Sequence, residues 1–552
     1  MTNYNLNNIP AEKFQFAKKN DIYHDSKFDT KPVSYFQGAF RRFCKNKGAV
    51  VGGIVIAVLV LFAIIAPFFT PFQPAYYDTM YMHATPKSEL FYNSGIDFWD
   101  GYRVKEVGYV GYLQDFALAS ETGRDIIKRG EYTTKEDSTG GVVYSYRYDT
   151  YGGVGFGKYR LISVEEYEDI QRYQNETGRQ VLYPIVSVQV REQMHNKNKE
   201  DANIYYVAED ITKAVVVPKL DENGEIIPNY WKYEKDSPSG LIAEYNSIRI
   251  EGEDGIVEKT TVLNDYGLPM KDKNGNIVEE ENTYYYVYGR KMGGSIEVRA
   301  EYYEYYIYQH TQLKKDGIEE PMFWFGATDS GKDIFACLSY GARFSFIFAI
   351  VVAAVNFIVG VIWGSISGYY GGKIDLFMER FSDILGSVPT MIVITLLKYH
   401  MGSSSQVIVL LISFFLTGWI GMAGRTRMQF YRFKNQEYVL AARTLGASDA
   451  RIMFKHIFPN GLGTIVTSVA LVIPSMIYSE TSLSYLGIIN LEAGNTTSVG
   501  TLIAAGQKSI MANAGFVALF PCLFLVLLML SFNLFGNGLR DAFNPSLRGS
   551  ED

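Results

Sequence analysis

The stretch GATDSGKD (Gly326–Asp333) carries glycines and a lysine at nearly the spacing of a phosphate-binding loop. Such a loop needs a hydroxyl directly after the lysine to hold magnesium, and Asp333 stands at that position instead. It also needs a buried strand in front of it, whereas the aromatic residues Phe323–Phe325 precede this stretch. The sequence therefore predicts a turn before a helix here and no ATP site.

The other residues that could support chemistry form no constellation with a recognisable spacing. A second glycine cluster, GGVGFGKY (Gly152–Tyr159), lacks a flanking strand and helix and predicts a loop. The six histidines show no metal-binding spacing, and no Ser/His/Asp or Cys/His arrangement can be argued from the spacing. We therefore predict no catalytic residue, no metal site and no cofactor on this chain.

Ionisable residues within apolar segments usually mark an ion path across a membrane, and few occur here. Arg343 and Lys398 lie at the ends of predicted spans, where long basic side chains are expected to reach the membrane surface. Glu480 lies near the outer end of the fifth predicted span. This pattern gives little support to a carrier that is coupled to protons.

Apolar runs predict an α-helical membrane protein with six spans. The charge-free run from Ala49 to Thr70 is long enough to cross a hydrocarbon core of roughly 30 Å as a helix. The 48 residues that precede it, and its length, argue against a cleaved signal peptide. Further spans are predicted at about Phe344–Ser367, at Ile384–Leu397 (a weaker run that contains Pro389), and at Val407–Gly424, Gly461–Tyr478 and Phe516–Gly536.

Basic residues predict the orientation of these spans. They cluster just before the first span and in the loop after the fourth, at Arg41, Arg42, Lys45, Lys47, Arg425, Arg427, Arg432, Lys434, Arg443, Arg451 and Lys455. Basic loops stay in the cytoplasm. Six spans with both termini inside satisfy every loop, and residues 71–321 are then extracellular. The segment 1–48 interleaves aromatic and basic residues and predicts an amphipathic cytoplasmic segment, with a disordered tail as an equal alternative for 1–30.

The block between the first two spans differs in composition from the rest of the chain. Residues 71–320 hold 43 acidic and 28 basic residues, a net charge of −15, whereas the remainder has a net charge of +8. None of the three cysteines lies in the block, so a disulfide framework is excluded there. It contains 31 of the 42 tyrosines. A ligand-binding module and a docking scaffold are both compatible with this composition, and we favour the scaffold.

Local patterns predict that this block is strand-rich, with an α+β or β fold. Runs of β-branched residues occur at Pro184–Val190 and Ile211–Val217, and hairpin-type turns occur at Asn223-Gly224, Asp254-Gly255 and Asn274-Gly275. The tyrosine-rich stretches Thr283–Gly289 and Glu301–Tyr308 resemble a pair of strands.

A cytoplasmic stretch, EYVLAARTLGASDARIMFKHIFPNG (Glu437–Gly461), predicts two short helices. The first runs from Glu437 to Leu445 and ends or bends at Gly446. A second, amphipathic helix follows, and Pro459 is expected to break the chain before the fifth span. Two short helices of this kind form a small knob that fits a groove on a partner protein. The alternative is an amphipathic helix that rests on the lipid surface.

This stretch resembles the EAA loop of binding-protein-dependent ABC importers, whose helices dock on ATPase subunits. The resemblance rests on Ala441, Ala442, Gly446 and Pro459, while Leu440, His456 and Phe458 depart from the motif. Leu440 stands where the motif has glutamate, and Glu437, one turn earlier, is the alternative acidic contact. The resemblance implies an ATPase-docking set of Glu437, Ala441, Ala442, Arg443, Gly446, Ala447 and Pro459 in a coupling loop at about 425–460.

Further segments resemble the C-type permease subunits of dipeptide, oligopeptide and nickel importers. The segment SFNLFGNGLRDAFNPSLRG (Ser531–Gly549) is nearly a signature of that subunit, and ETSLSYLGI (Glu480–Ile488) is similar to family sequence. Family motif positions are Asp329, Gly331, Asp333, Gly341, Asp383, Pro389, Gly487, Asn533, Gly538, Arg540 and Asp541. The resemblance covers about residues 33–75 and 322–549, so it is silent on the insertion.

The resemblance implies a permease subunit that opens a path for peptides while partner subunits bind and hydrolyse ATP with magnesium. The implied partners are a B-type permease, two ATPase subunits, an extracellular peptide-binding lipoprotein and membrane lipid, with no nucleic acid. Nickel is the alternative substrate. A signalling receptor with an extracellular sensor is a distant alternative, because it would need a cytoplasmic output module and little sequence follows the last span. A secondary carrier would need inverted repeats and buried ionisable groups, and neither is evident in the sequence. The predicted domains are 1–48, span one at 49–70, the insertion at 71–321 and the permease core at 322–552.

Overall fold

The structure is a computed structural model of the 552-residue chain. It describes residues 35–92, 97–108, 111–112, 115, 118–119, 122–136, 140–155, 159–183, 241–243, 248–249, 259–261, 271–281, 283–284, 287–292, 294–401, 405–492 and 496–543. The predicted strands at 184–190 and 211–217, the turns at 223–224 and 254–255, and residues 1–34 lie outside this part of the chain.

Helices dominate both ends of the described chain. They are α1 (Tyr35–Lys45), α2 (Lys47–Ile65), α3 (Glu89–Tyr92), α4 (Val164–Thr177), α5 (Tyr302–Tyr308), α6 (Ile334–Tyr370), α7 (Gly372–Gly386), α8 (Thr390–Met401), α9 (Gln406–Thr417), α10 (Ile420–Phe433), α11 (Glu437–Thr444), α12 (Asp449–Arg451), α13 (Phe458–Tyr485), α14 (Val499–Ile510) and α15 (Phe516–Phe543). Two π-helical segments, Gln309–Lys314 and Ile452–Ile457, follow α5 and α12.

Five helical segments of the described chain are long and apolar enough to cross a membrane. They are Lys47–Phe68, Ile334–Tyr370, Gln406–Phe433, Asp449–Tyr485 and Phe516–Phe543. The predicted span at 384–397 is wrong as a single helix, because the chain forms α7 and α8, which are bent by 69° at the break that contains Pro389. Proline disfavours helical geometry in the residue before it, which explains the break. Counted as one span, the bent pair gives six.

A row of glycines brings α6 and α10 into close contact. Gly360, Gly364 and Gly368 follow one another at intervals of four residues and therefore lie on one face of α6. A Cβ atom at Gly360 would lie 2.8 Å from the carbonyl oxygen of Trp419, and one at Gly368 would lie 2.7 Å from that of Arg427. Small residues at this spacing allow helix backbones to pack closely within a membrane.

The insertion contains antiparallel strands in several small sheets. The strands are β1 (Tyr102–Gly108), β2 (Ile127–Glu136), β3 (Val142–Asp149), β4 (Tyr159–Ser163), β5 (Leu182–Tyr183), β6 (Leu241–Ala243), β7 (Ile248–Arg249), β8 (Lys259–Thr261), β9 (Glu279–Glu281), β10 (Thr283–Tyr284), β11 (Val287–Met292) and β12 (Ser295–Ala300). One sheet has the order β1-β3-β2, and a larger one has the order β4-β12-β11-β6 with β5 beside β12. The remaining pairs are β10 with β7 and β8 with β9.

Tyrosines form the core of the insertion. Tyr81, Tyr151 and Tyr306 are fully buried and pack in one cluster with Phe323. The hydroxyl of Tyr151 donates a hydrogen bond of 2.7 Å to the carbonyl oxygen of Thr85, so one buried polar group is satisfied inside the core. The tyrosine content thus reflects packing as well as strand propensity.

The prediction of a strand at Glu301–Tyr308 is wrong, because residues 302–308 form the helix α5. The carboxylate of Glu301 accepts hydrogen bonds from the backbone N–H groups of Tyr303 and Glu304 and so caps the helix. Every residue of α5 is buried, which removes the alternation of buried and exposed positions that distinguishes a strand. The neighbouring stretch 283–289 contains β10 and the start of β11, which confirms the prediction of a strand there.

The insertion rests directly on the ends of the membrane helices. The indole N–H of Trp99 donates a hydrogen bond of 2.6 Å to the carbonyl oxygen of Trp324, and the ring of Trp99 packs against Phe520 of α15 at 6.0 Å. The hydroxyl of Tyr302 donates a hydrogen bond of 2.5 Å to Asp78, and the N–H of Asp78 donates one of 3.0 Å to the carbonyl oxygen of Gly331 in the turn before α6. The insertion and the helical bundle are therefore packed against one another.

Candidate coupling site between α10 and α13

The loop between α10 and α13 folds into a compact helical knob. Helix α11 ends at a turn in which Gly446 has a φ of +78°, and the N–H of Ala447 donates to the carbonyl oxygen of Ala442 at 3.1 Å. Glycine is favoured at this position because a left-handed backbone strains residues that carry a Cβ atom. Helix α12 follows, and its last residue leads without a gap into the π-helical segment and α13.

The prediction that Pro459 breaks the chain is wrong. Residues 449–485 form one continuous helical segment, and Pro459 occupies one of the first two positions of α13. A proline is tolerated in the first turn of a helix, where its missing N–H has no partner to lose. The π-helical segment Ile452–Ile457 directly precedes this position, and it joins α12 to α13 without a break.

The inner face of the knob is apolar and packs against the ends of α6 and α10. Val439, Ile452 and Ile457 are fully buried in a cluster with Tyr369 of α6 and Phe430 of α10. Ala442 also points inwards. Because this cluster joins the knob to two membrane helices, a displacement of the knob must displace their ends or break the packing.

The outer face of the knob exposes large apolar side chains. Leu445 is 87% exposed, Leu440 is 47% exposed and Phe454 is 46% exposed. Glu437 lies in the first turn of α11 and is exposed, as is Ala441 one turn later. An apolar patch of this kind, beside an acidic residue, is typical of a surface that binds another protein.

Polar contacts fix the orientation of the knob. The hydroxyl of Tyr369 donates a hydrogen bond of 2.6 Å to Asp449 at the start of α12, and it accepts one of 3.3 Å from the guanidinium of Arg443. The ammonium of Lys434 donates a hydrogen bond of 3.1 Å to the carbonyl oxygen of Gly368. Thus both helices of the knob, and the segment before it, are tied to the last turn of α6.

A second network links α6, α7 and α10 beside the knob. The guanidinium of Arg427 forms a bidentate ion pair with Asp375 at 2.6 and 2.7 Å and a further one with Glu379 at 2.8 and 3.1 Å. Asp375 also accepts hydrogen bonds from Ser367 and, at 2.5 Å, from Tyr431. Bidentate pairs hold their groups in a defined geometry, so the three helix ends are locked together.

Sequence reasoning missed this network. Arg427 was recognised only as one of several basic residues in a cytoplasmic loop, and Asp375 lies 52 positions away. No local pattern joins two residues so far apart. The one signal in the sequence was the row of glycines on α6, which indicates that another helix packs closely against that face.

The family motif positions do not form one site. Asp329, Gly331 and Asp333 lie in the turn before α6, where the carboxylate of Asp333 accepts hydrogen bonds from the N–H groups of Phe335 and Ala336 at 3.2 and 3.0 Å. This is the predicted pre-helix turn. Asp333 is buried, and burial raises the pKa of its carboxyl group to about 7.

Most of the other motif positions serve packing or turns. A Cβ atom at Gly341 would lie 2.9 Å from the backbone of Ser498, and Gly487 has a φ of +70° just after α13. Gly538 of α15 lies against α2, where an added Cβ atom would collide with Ala49. Asp383, Asn533 and Asp541 are exposed, and Pro389 lies at the bend between α7 and α8.

The charged residues within the apolar segments are bonded inside the protein. Arg343 donates hydrogen bonds to the carbonyl oxygens of Ala63 and Ile64 at the end of α2. Lys398 donates one of 2.6 Å to the carbonyl oxygen of Ile488. Glu480 is fully buried and accepts hydrogen bonds from serines on α6 and α13. These contacts join separate segments of the bundle, and the expectation that Arg343 and Lys398 reach the membrane surface stays a prediction.

Two family models match the segments on either side of the insertion. Residues 360–549 match the binding-protein-dependent transport system inner membrane component, and residues 34–86 match the N-terminal transmembrane domain of oligopeptide transport permease C. The oligopeptide transport system permease protein OppC of Bacillus subtilis (strain 168) is 39% identical over 258 residues, which are 45% of this chain and 80% of that protein. The chain belongs to the binding-protein-dependent permease family.

Other relatives and one fold comparison accompany this result. The dipeptide transport system permease protein DppC of Bacillus subtilis (strain 168) is 38% identical over 225 residues, or 41% of this chain and 69% of that protein. A solved chain of the MetNI methionine ABC transporter in an inward-facing conformation is 16% identical, with a TM-score of 0.29, over 38% of this chain and 96% of that one. The sequence relatives alone therefore carry the family assignment.

Proposed function

We propose that this permease is the C-type subunit of an ATP-driven importer of peptides. The observation that supports this proposal most directly is the similarity to oligopeptide and dipeptide permeases across most of their length. The knob between α10 and α13 adds a physical basis, because its exposed apolar face lies on a body that is tied to the membrane helices. ATP and magnesium are bound by the ATPase partners in this proposal.

The knob is the part that receives the movement of an ATPase. Leu440, Leu445 and Phe454 supply the apolar contact, with Glu437 at its edge. When the ATPase subunits close, the knob moves with them and carries the last turn of α6 through Tyr369. The Arg427 network then transmits that movement to α7 and α10, and the path between the two permeases opens or closes.

The proposed topology has six spans with both termini in the cytoplasm and residues 71–321 outside. It counts α7 and α8 as one bent span, and the basic residues of the knob support an inner location. In this arrangement the insertion lies on the face where an extracellular peptide-binding lipoprotein arrives. The second permease of the complex is a B-type subunit.

Thiol labelling on intact cells tests this topology. Lys273 lies in an exposed turn of the insertion and Ser448 is exposed in the knob, so each is replaced by cysteine in a chain in which Cys44 and Cys522 are changed to serine. A membrane-impermeant reagent should modify the cysteine at 273 and not the one at 448 until the cells are opened. The reverse pattern would refute the orientation.

Uptake tests the transport function. A strain that lacks this gene should lose the uptake of a labelled peptide and regain it from a plasmid copy. A strain with the plasmid copy of Leu445→Asp should make the protein and insert it, yet fail to transport, because a charge in an apolar contact must be desolvated. Loss of nickel uptake with normal peptide uptake would show that the substrate has been assigned wrongly.

A further inference from the structure

A cleft of about 730 Å³ opens between α10, α13 and α15, on the side of the bundle that carries the knob. Its size falls within the range of roughly 300–1,000 Å³ that is typical of small-molecule sites. Three arginines line it, one pair from α10 and one residue from α15: Arg425, Arg432 and Arg540. Nothing in the function described so far uses them together.

The charge of this cleft is uncompensated. None of the described residues that line it is acidic, and no described carboxylate forms an ion pair with Arg425, Arg432 or Arg540. This contrasts with Arg427 on the same helix, which binds two carboxylates. Three guanidinium groups without a protein anion form a site for an anionic ligand, and arginine binds carboxylates with two parallel hydrogen bonds.

The floor of the cleft offers hydrogen-bond acceptors. Thr467 and Ser468 of α13 donate their hydroxyl protons to the carbonyl oxygen of Thr464, at 2.8 and 3.0 Å. Their oxygens therefore have lone pairs free for a donor that enters the cleft. The side-chain oxygen of Gln429, which also lines the cleft, is buried without a hydrogen-bond partner in the described structure.

The donors and acceptors of the cleft together fit a peptide. A peptide brings N–H donors for the oxygens of the floor and a terminal carboxylate for the arginines, whereas an anionic headgroup without amine or hydroxyl groups would leave those oxygens unused. The hydroxyl-bearing face also continues along α13 beyond the cleft, where Ser475 is exposed, Ser479 and Ser482 are half-buried, and all three are bonded back to their own helix. A helix face that meets lipid tails would be apolar at these positions.

We infer that this cleft is a binding site on the translocation path, where the arginines bind the C-terminal carboxylate of the peptide and the hydroxyls of α13 accept hydrogen bonds from its N–H groups. The inference rests on the proposed function, because it names the group of the substrate that the permease recognises. It also assigns to Arg540, a motif position, a role in contact with substrate. The basic cleft favours peptides with a free carboxylate over peptides whose C-terminus is blocked.

The test compares two forms of one labelled peptide, with a free C-terminal carboxylate and with a C-terminal amide, in vesicles that contain the complete transporter and its binding protein. Arg432→Gln and Arg540→Gln are measured beside Arg41→Gln, a control that removes an exposed arginine of α1. The binding protein is the same throughout, so its own preference cancels between variants. Loss of one charged hydrogen-bonded pair should reduce the carboxylate-to-amide ratio of uptake rates about tenfold.

Each result supports or overturns the inference. A lower ratio with amide uptake retained in both glutamine variants, and a ratio partly restored by Arg432→Lys, supports it. An unchanged ratio overturns it, as does an equal loss of both peptides or a failure of the variants to co-purify with the other subunits. A loss that appears only in vesicles with anionic lipid assigns the cleft to a headgroup and overturns it too. If the parent transports neither peptide, the proposed function fails; if only the ratio is insensitive, this inference alone fails.

Discussion

The hydroxyl of Tyr369 is the contact through which the knob should move α6, so its removal gives a sharp test of coupling. Tyr369→Phe deletes one oxygen that donates to Asp449 at 2.6 Å and accepts from Arg443 at 3.3 Å, while the buried ring keeps its packing. Hydrogen bonds to charged groups contribute about 1.5–3 kcal/mol when buried. Asp449 is exposed, so we take a lower value of about 1–1.5 kcal/mol, which shifts an equilibrium roughly fivefold to tenfold.

The assay measures peptide transported per ATP hydrolysed by the reconstituted complex. Tyr369→Phe should reduce this ratio severalfold while basal ATP hydrolysis continues, because the ATPase still closes but pulls less firmly on α6. Tyr370→Phe is the matched control, since its hydroxyl lies 3.5 Å from the same carboxylate and is exposed. Asp449→Ala should add little to Tyr369→Phe, since both remove the same bond. Equal ratios for Tyr369→Phe and Tyr370→Phe would refute this account of coupling.

Three further predictions follow from close packing, backbone geometry and burial. Gly364→Leu should lower the unfolding temperature in detergent, at a cost of at least about 1–3 kcal/mol, because an added Cβ atom would meet the backbone of α10. Gly421→Leu, which has open space around it, should leave the unfolding temperature unchanged, and equal shifts in the two variants would contradict the close packing. Gly446→Trp should abolish uptake and Gly446→Asn should retain much of it, because asparagine tolerates a positive φ. Among the described residues no neighbouring atom lies within 4 Å of a Cβ at 446, so the space that tryptophan lacks is in the partner, and equal loss of uptake in both variants would place the defect in the turn itself. Burial raises the pKa of Asp333 in the folded state to about 7, above the ordinary 3.8, so the folded state binds more protons than the unfolded state between these pH values. The unfolding free energy should therefore fall as pH rises from 4 to 7, by on the order of 4 kcal/mol at most. Asp333→Asn should remove this dependence on pH in thermal unfolding.

Local signals predicted the elements in which neighbouring residues determine the conformation. The glycine at 446 ends α11 as expected, because the requirement for a positive φ is local. The turn before α6 was predicted correctly for the same reason, since Asp333 caps the helix that follows it. The apolar runs located the membrane helices but underestimated their lengths, because polar residues extend α6 and α15 beyond the apolar core.

Longer-range contacts decided the places where prediction was wrong. The tyrosines of α5 have strong strand propensity, but burial on all sides and a glutamate cap favour a helix. Pro459 disrupts a helix interior yet fits a first turn, and the sequence did not show where that turn begins. The Arg427 network needs three helices to meet, and the basic cleft needs α10, α13 and α15, so neither could be derived from spacing along the chain.

The packing of the insertion changes how its role must be tested. A docking scaffold, which the composition favoured, could use its tyrosines to bind a partner, yet Tyr81, Tyr151 and Tyr306 are core residues that pack with Phe323 next to the membrane helices. A deletion of about 78–315 would therefore uncover Phe323 and remove the hydrogen bond that the N–H of Asp78 donates to the carbonyl oxygen of Gly331 in the turn before α6. Slow uptake after that deletion would follow from damage to the permease as readily as from lost capture. The net charge of −15 is the remaining property that favours docking of a binding protein, and replacement of exposed acidic residues by their amides tests it because the core stays intact.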